Sequence, residues 1–216
     1  FHQTPKNKAY RRLIVPPENK AFIVADVDSQ EVKLMACQSK DSKLLEIYAE
    51  GLNPHALIGS KISGVPYDEI MEGKATEEYF ATIYSAGKVT NLGENYRMGA
   101  RTLWLNAHTS WGLTPTLEET RKWRAGWIEE RKGAVRFWKA TIELAKDRGY
   151  AETLAGRRFY LHLWNRKDSW KTESTAIMVP IQGSGADMKY LAIACIRRQL
   201  PELSFWNELH DEIIWT

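Results

Sequence analysis

Cysteine is scarce in this sequence: Cys37 and Cys195 are the two present among 216 residues. Neither has a Cys or His neighbour at metal-ligand spacing, which argues against a zinc site. Each sits in an apolar helical pattern, so both are expected to be reduced thiols in the core. Long hydrophobic runs are also missing. No stretch approaches the roughly 18 apolar residues of a membrane helix, and Phe1 to Lys6 lacks signal-peptide character. The expectation is a soluble, intracellular chain with no membrane partner. There is no detectable repeat and no regular βαβ alternation, which sets aside solenoids and doubly wound parallel sheets. Net charge is small, at +3.

What is present is an ordinary globular balance, 44% hydrophobic and 11% aromatic, enough for a substantial core in one or two domains and too apolar for disorder. Charge is unevenly placed. Between Arg121 and Lys167 thirteen Lys or Arg stand against five Asp or Glu. Such a stretch suits either a basic face toward a polyanion or a solvated helix face. The chain starts in a polar stretch without Met and stops at Ile213-Ile214-Trp215-Thr216, which reads as a strand still running; both ends suggest a fragment.

The turn formers Pro16-Pro17-Glu18-Asn19 precede a short strand, Ala21 to Ala25, that ends on Asp26. Apolar clusters from Glu31 to Tyr48 predict two short helices with a break near Ser39 to Ser42. A further helix starts at Pro54 and closes at Gly64-Val65-Pro66. Helical spacing runs from Glu77 to Asn106, interrupted by Gly87, Gly93 and Gly99. Each glycine costs about 1 kcal/mol in a helix interior, so they predict close backbone approach or bends. Thr116 with Glu119 gives a capping-box start for a helix to about Gly133, and another fills Ala134 to Arg148. Tyr150 to Leu154 and Arg158 to Leu161 flank Ala155-Gly156 as a hairpin. After a polar loop, Thr172 to Gln199 is mostly helical around Pro180 and Gly183. Finally, strands Ser204 to Leu209 and Ile213 to Trp215 flank a tight turn, His210-Asp211-Glu212.

Asp26 at a strand end and Asp211 in a turn between strands could meet over a sheet and hold two Mg²⁺ ions, which favour hard oxygen ligands. An aspartate at a strand end serves equally as a turn former or helix cap. Lys88, Leu92 and Tyr96 fall at i, i+4 and i+8, one helix face. A cation, an apolar group and a ring in that order could meet a triphosphate, a sugar and a base. The same spacing also serves a core-facing stripe.

Taken in order, Asp26-Val27-Asp28-Ser29-Gln30-Glu31, Lys88 to Tyr96, Tyr150 to Arg158, Pro180-Ile181-Gln182-Gly183-Ser184-Gly185-Ala186-Asp187 and His210-Asp211-Glu212 resemble the motif series of family A DNA polymerases. The resemblance runs from about Arg11 to Thr216, and Pro54-His55-Ala56 and Gly64-Val65-Pro66 also fit it. It implies an α+β fold, a palm with an antiparallel sheet and an inserted, mostly helical fingers subdomain, in an incomplete right-hand architecture. Residues 1–53 would be the first part of the palm, 54–148 the fingers and 149–216 the second part of the palm. A thumb and any exonuclease domain would lie upstream of Phe1.

The resemblance further implies template-directed transfer of deoxynucleotides to a primer end, with primer-template DNA and dNTPs as partners and two Mg²⁺ ions as cofactors, Mn²⁺ substituting. Asp26 and Asp211 would be the metal carboxylates, with the Val27 carbonyl completing one shell. Lys88 would bind phosphate and donate a proton to pyrophosphate. His55 would reach the triphosphate, Glu31 would close over the sugar, Leu92 would stand beside it, and Tyr96 would stack near the templating base. Arg157 and Gln182 would contact the duplex, and His210 and Glu212 the primer end. For Arg157 and Arg158 an exposed hairpin charge is the alternative.

Several positions depart from the family pattern. Tyr84 stands where an arginine usually grips the triphosphate, Leu92 where Phe or Tyr is usual, Arg97 where Gly is common, and Ser174 and Met178 where Arg and Asn are frequent. The mixture of mitochondrial-like and bacterial-like motifs suggests a phage or other viral source, hence the host cytoplasm, with a mitochondrial setting the alternative. Two other readings are a single-subunit RNA polymerase relative, against which Glu31 and the His-Asp-Glu turn argue, and a nucleic-acid-binding remnant without catalysis.

Overall fold

The computed structural model describes residues 12–162, 164, 169–209 and 212–216. His210 and Asp211, on which two of the site expectations fall, lie outside the described residues, as does most of the polar loop after the hairpin.

A short strand, β1 (Ile23–Ala25), leads to helices α1 (Gln30–Ser39), α2 (Ser42–Ala49), α3 (Pro54–Ser63), α4 (Tyr67–Gly73), α5 (Glu78–Glu94), α6 (Ala100–Trp111), α7 (Leu117–Glu130) and α8 (Lys132–Arg148). A hairpin, β2 (Tyr150–Glu152) and β3 (Arg158–Tyr160), follows. Helix α9 (Ser169–Met178) then runs through a π-helical turn, Val179–Gly183, into α10 (Ser184–Gln199). Strands β4 (Phe205–Leu209) and β5 (Glu212–Trp215) end the described chain. The α+β expectation holds. One sheet is antiparallel, ordered β1-β5-β4, and the hairpin forms a second.

Local chemistry explains several helix ends. The Asn53 side chain accepts the N–H groups of His55 and Ala56, and Pro54 sets the first turn of α3; Gly64, at φ 76°, ends it. Thr116 and Glu119 form the expected reciprocal capping box. Helix α4 was not evident from the sequence: it is seven residues long with no side-chain cap, and its buried Ile70 packs with Ala56 and Ile83.

Asp41 ties two helices together. Its Oδ1 accepts from Leu44 N at 3.0 Å to cap α2, and its Oδ2 accepts from Gly133 N at 2.6 Å and Ala134 N at 3.2 Å at the start of α8. A Cβ on Gly133 would stand 2.5 Å from the Asp41 backbone, so only glycine permits this approach. Asp41 also offsets the buried Arg131 guanidinium, whose pKa burial lowers. Asp41→Ala is therefore expected to cost about 3–4 kcal/mol, from lost caps and an uncompensated buried cation. Urea unfolding checks this; a loss under about 1 kcal/mol would refute the double-cap account.

The principal core lies between α1, α2, α3, α7, α8 and the α9–α10 segment. It is built on Met35, Leu44, Ile58, Ile177, Ile181 and the stacked pair Trp127 and Trp138, whose ring centroids are 5.2 Å apart. Both cysteines are exposed, which corrects the core expectation. Cys37 follows the buried Leu34-Met35-Ala36 by one more step around the helix and turns outward. On α10 the apolar stripe of Met188 and Leu191 is exposed, while Lys189 is buried against Glu208 at 3.0 Å.

Candidate functional site

Helices α3 and α5 cross at backbone distance. A Cβ on Gly87 would stand 2.1 Å from the His55 carbonyl oxygen and 2.6 Å from Gly59 N, and one on Gly59 would stand 2.9 Å from Ile83 O. The glycine interruption at Gly87 thus marks a close approach, and the crossing sets His55 on α3 beside Lys88 on α5. The register of the three-stranded sheet, with Ala25 opposite Ile213 and Leu209 opposite Glu212, brings the end of β1 level with the start of β5. Asp26 and Val27 follow directly.

These elements enclose a cleft of about 810 Å³, lined by Asp26, Val27, Glu31, His55, Lys88, Leu92, Tyr96 and Gln182 among others. The sequence-predicted residues are therefore brought together, with exceptions. His210 and Asp211 lie outside the described residues. Arg157 and Glu212 do not line the cleft. The Arg157 guanidinium is instead tied to Asp187 Oδ1, 2.9 Å from Nε, and to Gly183 O, 3.1 Å from Nη2, bracing the hairpin against α10. Arg158 pairs with Glu152.

Asp26 is exposed at the cleft edge and has no hydrogen bond or ion pair among the described residues, whereas Asp28 is bound to Lys33 at 3.0 Å and to Ser29. Asp26 is thus the carboxylate free to take a ligand. Glu31 accepts from Gln182 Nε2 at 2.7 Å, and the π-helical turn aims Gln182 across to it. Burial, then the Glu31 charge, pushes the Tyr96 phenol upward, and its ring packs against the principal core. Lys88 lies 5.9 Å from the centroid of the Trp111 ring and makes no ion pair among the described residues. No group of three or more His, Cys, Asp or Glu among the described residues could hold a metal by itself.

His55 is 4% exposed, and burial, with Lys88 adding, pushes its imidazole down to about 4, so it is neutral at pH 7. Tyr84, at the position expected to carry arginine, meets His55 edge-on at 6.0 Å and carries Lys74 Nζ 4.6 Å from its ring centroid.

Of the other departures from the family pattern, Arg97 has a structural reading, and a buried carboxylate lies close to it in sequence. Arg97 has φ 59°, a left-handed conformation that glycine adopts freely, and its guanidinium pairs with Glu173 on α9. Glu94 is fully buried at the end of α5. Arg124 Nε lies 3.2 Å from Glu94 Oε1, but its N–H is directed to Met98 O at 3.1 Å. Neither Glu94 oxygen has a hydrogen bond among the described residues, so burial wins and raises its pKa to about 8.

Sequence reasoning singled out neither Asn91 nor Trp127, which support His55 from behind, nor Trp111 and Asn106 in the cleft lining. A helical Asn and a core Trp carry no spacing signal of their own; the contact between them spans 36 positions.

Comparison with known proteins gives a consistent picture. The family model for DNA polymerase family A matches residues 2–216. DNA polymerase I of Pseudomonas aeruginosa is 26% identical over 98% of this chain and 22% of its own length. The thermostable DNA polymerase I of Thermus thermophilus is 29% identical over 98% of this chain and 24% of its length. The chain thus spans about a quarter or less of these relatives. The solved POL domain of Pol1 from M. smegmatis, in complex with DNA primer-template and dNTP, superposes with a TM-score of 0.81 at 22% identity, covering 100% of this chain and 37% of that one.

Proposed function

The chain belongs to DNA polymerase family A, and from that premise we propose that it supplies the nucleotide-binding and metal-binding part of a template-directed DNA polymerase. The observation that carries this is the convergence of Asp26, Val27, Glu31, His55, Lys88, Leu92, Tyr96 and Gln182, drawn from four separate motifs, on one cleft. The sheet with residues 1–53 and 149–216 is the palm in this reading, and residues 54–148 are the fingers.

The donors at the sheet end suit a hard divalent ion: the carboxylate of Asp26 and the neighbouring Val27 carbonyl; the family resemblance adds Asp211, which lies outside the described residues. Two such ions, Mg²⁺ or Mn²⁺, supply activation of the primer 3′ hydroxyl and neutralisation of phosphate charge when bound. The chain's own groups do the rest. Lys88 attracts the triphosphate and holds a proton at Nζ for the departing pyrophosphate. Neutral His55 donates an N–H to a phosphate oxygen without adding charge. Leu92 and Tyr96 offer an apolar wall and a ring to sugar and base. Glu31, fixed by Gln182, closes the side on which a ribose 2′ hydroxyl would fall. Arg157, braced against α10, and Glu212 are assigned by the family resemblance to the duplex and the primer end.

Lys74, over the Tyr84 ring, and Lys88 both act on His55, so positive charge persists near it despite the absent arginine. That favours retained triphosphate binding over a remnant that only binds nucleic acid.

The test is primer extension with Mg²⁺ by a chimera in which this chain replaces the matched segment of the Thermus thermophilus enzyme. Deoxynucleotides are expected to be incorporated and ribonucleotides rejected. Glu31→Ala should narrow that preference by about tenfold to a hundredfold, the discrimination a single steric or polar contact supplies. No extension by a folded, DNA-binding chimera would reject the catalytic reading, and unchanged sugar preference in the variant would reject the Glu31 gate.

A further inference from the structure

His55 lies in the cleft, but its orientation is decided behind it. Trp127 Nε1 donates to Asn91 Oδ1 at 2.8 Å, and Asn91 Nδ2 donates to Pro54 O at 2.8 Å. Indole N–H can only donate and a proline carbonyl can only accept, so both ends dictate the same placing of the Asn91 amide. The Nδ2 group then faces His55 Nδ1 at 3.3 Å. An amide NH₂ has no lone pair to offer, so Nδ1 must accept, and the single proton of a neutral imidazole is left on Nε2. Trp127 is fully buried and stacked on Trp138 with a 5° interplanar angle, which fixes the direction of its Nε1–H.

We propose that Trp127 and Asn91 form a tautomer lock on His55, holding Nδ1 as an acceptor so that Nε2–H is the group His55 offers to an oligophosphate in the cleft. This rests on the nucleotide-binding reading above and deepens it: Asn91 and Trp127 are positioning residues that touch no substrate. The charges around His55 support a ring that stays neutral. Burial is the largest influence and opposes protonation, as do Lys88 on α5 and Lys74 after α4, while Asp28 in the turn before α1 favours it. Tyr84 meets the ring edge-on. A neutral donor with a fixed hydrogen direction costs no reorganisation when a phosphate oxygen arrives, whereas the other tautomer would turn a lone pair toward it.

The experiment is ¹⁵N NMR of the histidine side chains in the chain itself. Between pH 6 and 8, His55 is expected as one neutral species with a bare Nδ1 and a protonated Nε2. Asn91→Asp keeps the side-chain shape and the acceptor for Trp127 but turns a carboxylate oxygen to His55, so a proton should appear on Nδ1. Trp127→Phe keeps the ring stack but leaves the Pro54 carbonyl as the one anchor of the amide, so a second, minor tautomer should appear and the dissociation constant for dATP should rise in proportion to its population. A protonated Nδ1 in the parent chain, or a bare Nδ1 in Asn91→Asp, would overturn the lock. One tautomer in Trp127→Phe would remove Trp127 from it. Titration of the parent with dATP separates the two readings. If the Nε2 signal stays still while the tautomer is as stated, the triphosphate assignment of the cleft fails and the lock does not; if dATP moves it but Nδ1 carries the proton, the lock alone fails.

Discussion

Asp26→Asn, placed in a polymerase assembled around this chain, is expected to lower primer extension by about three orders of magnitude while leaving DNA binding intact. The size follows from what an amide cannot do. A neutral side chain is a poor ligand for a hard dication, and losing one of the two carboxylates proposed for the site removes several kcal/mol of charge stabilisation that exists only while phosphate charge is being redistributed. The selectivity of the effect follows from the structure. Asp26 is exposed and makes no hydrogen bond or ion pair among the described residues, so no contact among them is lost with it. Removing a negative charge beside a polyanion leaves affinity for primer-template unchanged or raised. Gel-shift and single-turnover extension, measured together, decide it. Retention of full activity by the variant would remove Asp26 from the metal site, and loss of binding in step with activity would make it a structural residue instead. Asp28 is the internal control. It is two residues away and equally exposed, but already held by Lys33 and Ser29, and Asp28→Asn should change extension by far less.

Much of this arrangement was legible because its signals are local. Turn formers before Ile23, Asn53-Pro54 and Thr116 with Glu119 announce element starts through chemistry that neighbours complete alone. The motif order named the cleft residues, and seven predicted side chains and the Val27 backbone meet there. What could not be read is what depends on distant partners. Gly87 signalled an approach without saying that His55 and Gly59 are what it approaches. The apolar stripe on α10 predicts a buried Cys195, yet the buried side is the one carrying Lys189, because Glu208 on β4 waits there. Helix α4 has no cap and too few turns to show periodicity. The lock behind His55 joins α3, α5 and α7, three segments with nothing in common until they fold.

Glu94→Gln is expected to stabilise the chain at pH 8 and to abolish most of its pH dependence above pH 5. Glu94 sits two residues before Tyr96, fully buried, beside Asn95, whose amide atoms also lack partners. Burial raises its carboxyl to about 8 from an ordinary value of 4.5. Over that interval the folded chain keeps the proton and the unfolded chain has released it. The unfolded state therefore binds fewer protons, and stability falls as pH rises from about 4.5 through about 8. At roughly 1.4 kcal/mol per pKa unit, and discounting for relaxation around the charge, the loss across the window is about 2–4 kcal/mol. Glutamine keeps the shape without ever ionising. Its removal of the charge leaves Arg124 with the Met98 carbonyl and partial solvent contact, so no cation is orphaned. Urea unfolding at pH 5 and pH 8 should give nearly equal stabilities for the variant and a steep decline for the parent. Parallel declines would mean that Glu94 ionises normally and that Arg124 fully offsets its burial. The position explains why such a residue has a consequence beyond stability: ionisation of Glu94 would destabilise the end of α5 from which Tyr96 is presented to the cleft. Nucleotide binding in the parent is therefore expected to weaken over the same pH interval, and in Glu94→Gln to stay level.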